Sequence, residues 1–219
     1  MAPESRWPNQ LDDVWQAYYW LVTNCESYLG FLPKKIVLVG DSAGSCLTLA
    51  ITTMAIQRNF RIPDGILGVY PAVNVCQREF WPSLMLGLDD NFLPMSFLHL
   101  SVVSYIPTEH IHNIKVLSSE YLSPGLYTPL NTLKKYPKTI MSVGSNDPFK
   151  DDIYRFVSRL LDSGIDSSAV SMREIRMLGH GFLSHGLKGE GLLSESKHGN
   201  SEIIQLVGEW IMEILDDQE

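Results

Sequence analysis

Three residue types able to do covalent chemistry together occur in this chain at the ends of separate apolar runs: a serine framed by glycines, a carboxylate and an imidazole. The serine lies in Ile36-Val37-Leu38-Val39-Gly40-Asp41-Ser42-Ala43-Gly44, a short apolar run that ends in G-x-S-x-G and passes into a helix-compatible segment. In that context the motif is a nucleophile elbow, a tight strand-to-helix turn that holds the hydroxyl away from the backbone. Gly40 and Gly44 are expected to be glycines because a Cβ at either place would collide with a neighbouring element. The turn would aim the Ala43 N–H at a developing oxyanion, where the positive end of the following helix also favours negative charge. The competing reading is that Ser42 only caps that helix.

The other two groups stand downstream. Asp147 follows the run Thr139 to Val143 in Gly144-Ser145-Asn146-Asp147-Pro148, and His180 follows Val170 to Met177 in Leu178-Gly179-His180-Gly181-Phe182. The order Ser, Asp, His is that of the α/β hydrolases. In such a set His180 takes the Ser42 proton and hands it to the leaving alcohol, while Asp147 fixes the imidazole tautomer and stabilises its charged form. His180 has the best claim among the six histidines, because it follows the last strand directly between two glycines. His185 and His198 lie farther along, and His99, His110 and His112 precede the acid. Asp147 could alternatively be a helix cap, with Pro148 at the first helical position.

Positioning these groups needs strands that end on one rim. Ile36 to Val39, Ile66 to Tyr70, Thr139 to Val143 and Val170 to Met177 read as buried strands, alternating with helices. Strand, helix, strand in this order is a βαβ unit, so the sheet is parallel with right-handed crossovers, and a site lies at the carboxyl ends of its strands. The helix after Ser42 is apolar on nearly every side as far as Gln57 and should be buried. A helix from Leu11 presents Val14, Trp15, Tyr18, Leu21, Val22 and Cys25 on one face, which reads as core rather than as a ligand box. Met1 to Asn9 reads as irregular. A last helix should bury Ile203, Ile204, Val207, Ile211, Ile214 and Leu215. Residues 72–138 are loop-rich and interleave Phe80, Trp81, Leu84, Phe92 and Phe97 with prolines and Asp89 and Asp90. They could form a lid or substrate wall, or an ordinary crossover helix at Met95 to Ile106.

A chain of 219 residues, 45% hydrophobic and 19% charged, is expected to form one domain, 1–219, with a sizeable core. Its net charge of −8 speaks against nucleic acid or an anionic membrane surface as the main partner. No run is long enough for a transmembrane segment. Cys25, Cys46 and Cys76 have no metal-type spacing, and three apolar-set cysteines suggest a reducing, cytoplasmic setting. Neither a metal nor another cofactor is expected.

Further stretches carry a resemblance: Ala2-Pro3-Glu4 with Trp7-Pro8, Pro63-Asp64-Gly65-Ile66, Tyr70-Pro71-Ala72, Tyr121-Leu122-Ser123-Pro124, Asp147-Pro148-Phe149-Lys150-Asp151-Asp152 and His180-Gly181-Phe182-Leu183. With the elbow, they make the chain similar to the hormone-sensitive lipase family of α/β-hydrolase serine esterases, to its C-terminal catalytic part above all. The resemblance implies an α/β-hydrolase fold, here the C-terminal half of a mostly parallel sheet flanked by helices. It implies Ser42, Asp147 and His180 as nucleophile, acid and base, Asp151 and Asp152 as caps of the next helix, and a lipid or small ester substrate such as an acylglycerol or cholesteryl ester. A lipid-droplet surface is an implied partner.

Two departures shape the expectation. The family's His-Gly-Gly motif, whose glycine N–H groups form most of the oxyanion hole, stands upstream of A-P-E, where this chain opens. An N-terminally truncated chain is therefore expected, with Ala43 N–H the remaining donor and catalysis weakened, since one lost donor costs about 10² to 10³ in rate. The nucleophile strand would also lie at an open edge that invites pairing with another chain. The alternative function is accordingly a non-catalytic remnant acting by association. The spacing from Ser42 to Asp147 leaves no room for the large regulatory insertion of the animal enzymes.

Overall fold

The computed structural model describes residues 2–75, 81–88, 90, 92–183 and 199–216. Cys76, Phe80, Asp89, His185 and His198 lie outside the described residues. After an irregular opening segment come α1 (Asn9–Thr23), α2 (Cys25–Leu29), β1 (Val37–Asp41), α3 (Ala43–Gln57) and β2 (Gly65–Val69). A 3₁₀ segment (Pro82–Leu88), α4 (Met95–Tyr105) and the short helices α5 (Ile114–Leu117), α6 (Pro124–Tyr127) and α7 (Leu130–Leu133) lead to β3 (Lys138–Gly144). The chain continues through α8 (Lys150–Asp162), β4 (Val170–Ile175) and α9 (Gly199–Asp216).

The sheet has the order β1-β2-β3-β4 with every pairing parallel. β1 is bonded on one side only among the described residues, and its Val39 is 44% exposed. Strand limits differ from the apolar runs for reasons of pairing. β1 extends through Gly40 and Asp41 because Gly68 and Val69 stand opposite them, whereas the Ile36 N–H leaves the ladder for Asp64 Oδ2 at 2.7 Å. β4 stops at Ile175, opposite the last residue of β3, and the Met177 N–H turns to Ser145 Oγ at 2.8 Å.

Parallel strands covered by helices on both faces are buried on both, so successive side chains feed different cores. Ile66 and Met141 pack with Leu49 of α3 and Ile153, Phe156 and Leu160 of α8. Leu67, Val69 and Ile140 pack with Phe182, Trp210 and Ile214. α3 is buried along nearly its whole length, and the α1 stripe packs through Tyr18, Val14 and Val22 against Ile36, Ile51 and Ala55. In α9 the buried face centres on Trp210 and Ile214, while Ile204 is 61% exposed. Val207, Ile211 and Ile214 pack as the apolar spacing expects, Ile204 does not, Trp210 joins them unforeseen, and the side chain of Ile203 lies outside the described residues.

α4 is built differently. None of its residues is buried, and it contains no Asp, Glu, Lys or Arg. The opening segment fastens its C-terminal end: Arg6 Nη1 donates to Val103 O at 2.8 Å and Ile106 O at 2.7 Å, and the Trp7 N–H donates to Tyr105 O at 2.9 Å. A guanidinium there satisfies carbonyls that the helix leaves over and complements its negative end.

Candidate active site

Ser42 stands between β1 and α3 with φ 47° and ψ −119°. A non-glycine residue in that region is strained and persists only where its surroundings hold it. Here the Ser42 N–H donates to Val69 O at 3.0 Å, its carbonyl accepts from the Ala72 N–H at 3.1 Å, and Ser45 Oγ–H donates to Gly40 O at 2.5 Å. A Cβ on Gly40 would stand 2.6 Å from the Gly44 carbonyl and the Ser45 nitrogen, so this glycine is sterically required. Gly44 is not: a Cβ there would meet only Asp41 Oδ1, at 3.8 Å, because the helix start carries its substituent away from the strand. Ser42 makes no side-chain capping bond. Its Oγ instead lies 2.8 Å from His180 Nε2.

The acid and imidazole loops are fastened to each other. Asn146 N–H donates to Leu178 O at 2.9 Å and Ser145 N–H to Ile175 O at 2.9 Å. Gly144 allows this approach, since a Cβ there would lie 2.1 Å from Leu178 O. Asp147, wholly buried, accepts the Phe149 N–H on Oδ1 at 2.8 Å, and its Oδ2 lies 3.0 Å from His180 Nδ1. A carboxylate can only accept, so Nδ1 carries the hydrogen and leaves Nε2 free to accept from the Ser42 hydroxyl. The helix begins later than the sequence suggests. α8 opens at Lys150, and Pro148 sits in the turn because the Asp147 side chain closes that turn on Phe149.

Asp151 and Asp152 lie in the first turn of α8 but do more than face its positive end. Asp151 Oδ2 accepts the Ser83 N–H at 2.8 Å, and Asp152 Oδ1 accepts from Asn74 Nδ2 at 3.0 Å. They tie the 3₁₀ segment and the turn after β2 to the acid loop, a role that only long-range packing could assign. Burial raises the Asp152 carboxyl above its ordinary range, with the Asn74 bond opposing.

A cavity of about 530 Å³, of the size that takes small organic ligands, opens on Ser42, Ala43 and His180. Phe92, Phe97, Leu98 and Leu100 from the 72–138 segment contribute apolar wall. Ala2 and Pro3 of the opening segment and Gln10 of α1 also line it, a placement that local periodicity does not signal, because it follows from the bonds to α4 and the packing of α1 on α3. Cys46 lines the cavity too, but burial pushes its thiol up to about 12, so it stays protonated and is no rival nucleophile. Aromatic rings surround the imidazole: Tyr70 at 4.9 Å, Phe149 at 5.0 Å and Phe92 at 6.2 Å between centroids. His99 and His112 are exposed, and His110 lies in a separate turn. Among the described residues no helix is long and apolar enough to cross a membrane, and no cluster of His, Cys, Asp and Glu could hold a metal ion.

A family model described as alpha/beta hydrolase fold matches residues 1–184. The chain is 39% identical to hormone-sensitive lipase of Mus musculus over 109 residues, which is 50% of this chain and 14% of that protein. It is 25% identical to an esterase of Gibberella moniliformis over 170 residues, 78% of this chain and 51% of that protein. The chain thus spans about a seventh of the lipase and half of the fungal esterase. Among solved structures, an esterase of Pyrobaculum calidifontis aligns with 98% of this chain and 63% of its own, with TM-score 0.80 and 22% identity. A fungal esterase of Rhizomucor miehei aligns with 100% of this chain and 63% of its own, with TM-score 0.81 and 18% identity. At these identities the structural likeness speaks for the fold alone.

Proposed function

The chain belongs to the alpha/beta hydrolase fold family, and from that premise we propose that it hydrolyses carboxylic esters, with Ser42 as nucleophile, His180 as base and Asp147 as orienting acid. The observation that carries this reading is the unbroken relay of 2.8 Å from Ser42 Oγ to His180 Nε2 and 3.0 Å from His180 Nδ1 to Asp147 Oδ2. Ser42 Oγ attacks the ester carbonyl carbon as its proton passes to Nε2. The carbonyl oxygen becomes an anion facing the Ala43 N–H, a first-turn donor that no intrahelical carbonyl reaches. Collapse expels the alcohol, which takes the proton from the imidazolium and leaves an acyl-Ser42. Water, deprotonated by Nε2, then releases the acid and restores the hydroxyl.

The apolar cavity supports an acyl chain as the group it receives, and acylglycerols or cholesteryl-type esters are the substrates we assign, met in the cytoplasm or at a lipid-droplet surface. Residues 72–138 act as the wall of the acyl site. Within these 219 residues Ala43 supplies the one oxyanion donor we assign. Phosphonylation of Ser42 is therefore a more sensitive readout than turnover. A fluorophosphonate should label the chain, with labelling abolished in Ser42→Ala and strongly slowed in His180→Ala. Absence of labelling in the wild type, or labelling that survives Ser42→Ala, would overturn the reading.

A second reading, association without catalysis, draws on β1, which pairs only with β2 among the described strands and exposes Val39. An open apolar strand edge is a template for another chain. Ser42-dependent turnover of a short p-nitrophenyl ester removes this alternative; concentration-dependent self-association without turnover favours it.

A further inference from the structure

We infer that Phe92 is a positioning residue for His180: its ring closes one face of the imidazole and keeps Nε2 on the line to Ser42. The inference rests on the Ser42, His180, Asp147 reading above and goes beyond it in assigning a function to a side chain outside the relay.

The physical need comes first. The histidine ring turns about a broad torsion with no steep staggered wells, so its neighbours must hold it: the Asp147 bond fixes the Nδ1 edge at 3.0 Å, and the faces of the ring are left to packing. Tyr70 and Phe149 meet the imidazole with their planes inclined at 60° and 82°. Both are buried and belong to the folded core. Phe92 is the exception in both respects. Its plane is inclined only 16° to the imidazole, and it is 39% exposed on a segment that packs over the site from outside the sheet.

Two further features hold the ring there. Asp90 Oδ1 accepts the N–H groups of Phe92 at 2.8 Å and Leu93 at 2.6 Å, which fixes the backbone of the turn, and Leu93 is buried beside Phe149. On the imidazole side, the ring fills the notch left by Gly181. A Cβ on that residue would stand 2.3 Å from Phe92 Cε1 and 2.7 Å from Cδ1. The glycine after the base thus leaves the space that Phe92 occupies, and its φ of 76° suits the same residue type. Phe92 also lines the cavity, so the surface that would touch the substrate is the one that steadies the base.

The test compares Phe92→Ala, Phe92→Leu and Phe92→Trp with the wild type. Two readouts are used: the rate at which a small fluorophosphonate labels Ser42, and kcat and KM for p-nitrophenyl acetate, whose acyl group is too short to use the cavity wall. Misplacement by an ångström can cost about 10² in rate. Partial loss of restraint in the Ala and Leu variants should therefore slow labelling and lower kcat by about tenfold, with KM within about twofold. The Trp variant, which restores a flat ring, should recover to within about threefold of wild type. The Leu variant keeps an apolar side chain of similar bulk, so its result stands even if the Ala variant folds poorly. Unchanged labelling in the Ala and Leu variants, or a change confined to KM, would reduce Phe92 to a piece of cavity wall. An unlabelled wild type would instead strike the relay itself, so the two failures are distinguishable.

Discussion

Helices α4 and α8 differ by two residues in length, 11 against 13, and each follows a loop whose phenylalanine meets the imidazole of His180. Their surfaces could hardly differ more. α8 buries Ile153, Phe156, Val157 and Leu160 and turns Arg155 and Asp162 outward, with Arg159 reaching Gly125 O at 2.6 Å and Thr128 O at 2.7 Å. α4 has no charged residue and no buried one, and its Phe97 and Leu100 are at once cavity wall and outer surface. A sharply two-sided helix has already found its partner inside the fold. Among the described residues α4 is an apolar helix left half-covered beside a cavity, a surface suited to a ligand. Substitutions in and around α8 should therefore register in stability and in the chemical step, and those in α4 in substrate binding.

The largest effect should come from Asp147→Asn, at the loop that leads into α8. The amide can still accept from Phe149 N–H, but its NH₂ would face Nδ1 and favour the wrong imidazole tautomer. A fall in kcat of about 10⁴ with a melting temperature close to wild type is expected; a small loss of rate would contradict the role given to the acid. Next, Phe156→Ala should destabilise the chain by about 3–5 kcal/mol in urea unfolding, through lost transfer energy and the cavity left behind. Arg6→Met should leave the global transition in place yet speed amide exchange in α4 by about tenfold or more, since it removes two charge-assisted bonds to the helix end.

Asp152→Asn sharpens the comparison through pH. The folded-state carboxyl is raised by burial, so the stability associated with this group is present below the unfolded carboxylate value and is lost as pH rises through the folded one. The melting temperature of the variant should gain on wild type as pH goes from about 4 to about 7. A constant difference would mean that the burial cost is not what sets it. The smallest stability change is expected from Phe97→Ala in α4, within about 0.5 kcal/mol. Its KM should rise for a long-chain ester while kcat on an acetate ester stays the same. Equal destabilisation by Phe97→Ala and Phe156→Ala would erase the distinction between the two helices.

The four strands and the long helices were legible because burial on a sheet or helix writes a period into the sequence, and their parallel direction because strands and helices alternate; the order of the strands was not. Strand ends were less so. β1 gains Gly40 and Asp41 from the residues opposite them, which no local pattern records. In α9, Val207, Ile211 and Ile214 follow the period, but Ile204 is exposed and Trp210 joins the buried face, because the contact is set by what α9 packs against. At the candidate site, the glycine-rich strand-end turns mark Ser42, Asp147 and His180, and the structure brings their side chains within hydrogen-bond distance. Gly40 was rightly singled out for close approach and Gly44 wrongly, because the direction of a Cβ depends on the turn's three-dimensional path.

What the sequence alone determined is chemistry and order: a hydroxyl, a carboxylate and an imidazole, each at the end of an apolar run, in a succession that one parallel sheet can gather on one rim. Tertiary structure alone decided what encloses them. Phe92 over the imidazole, Asp151 and Asp152 as ties to Ser83 and Asn74, and Arg6 as the fastening of α4 all join residues distant in the chain. Periodicity reports which side of an element is buried. It carries no information about which other segment does the burying, and that is settled only when the elements pack.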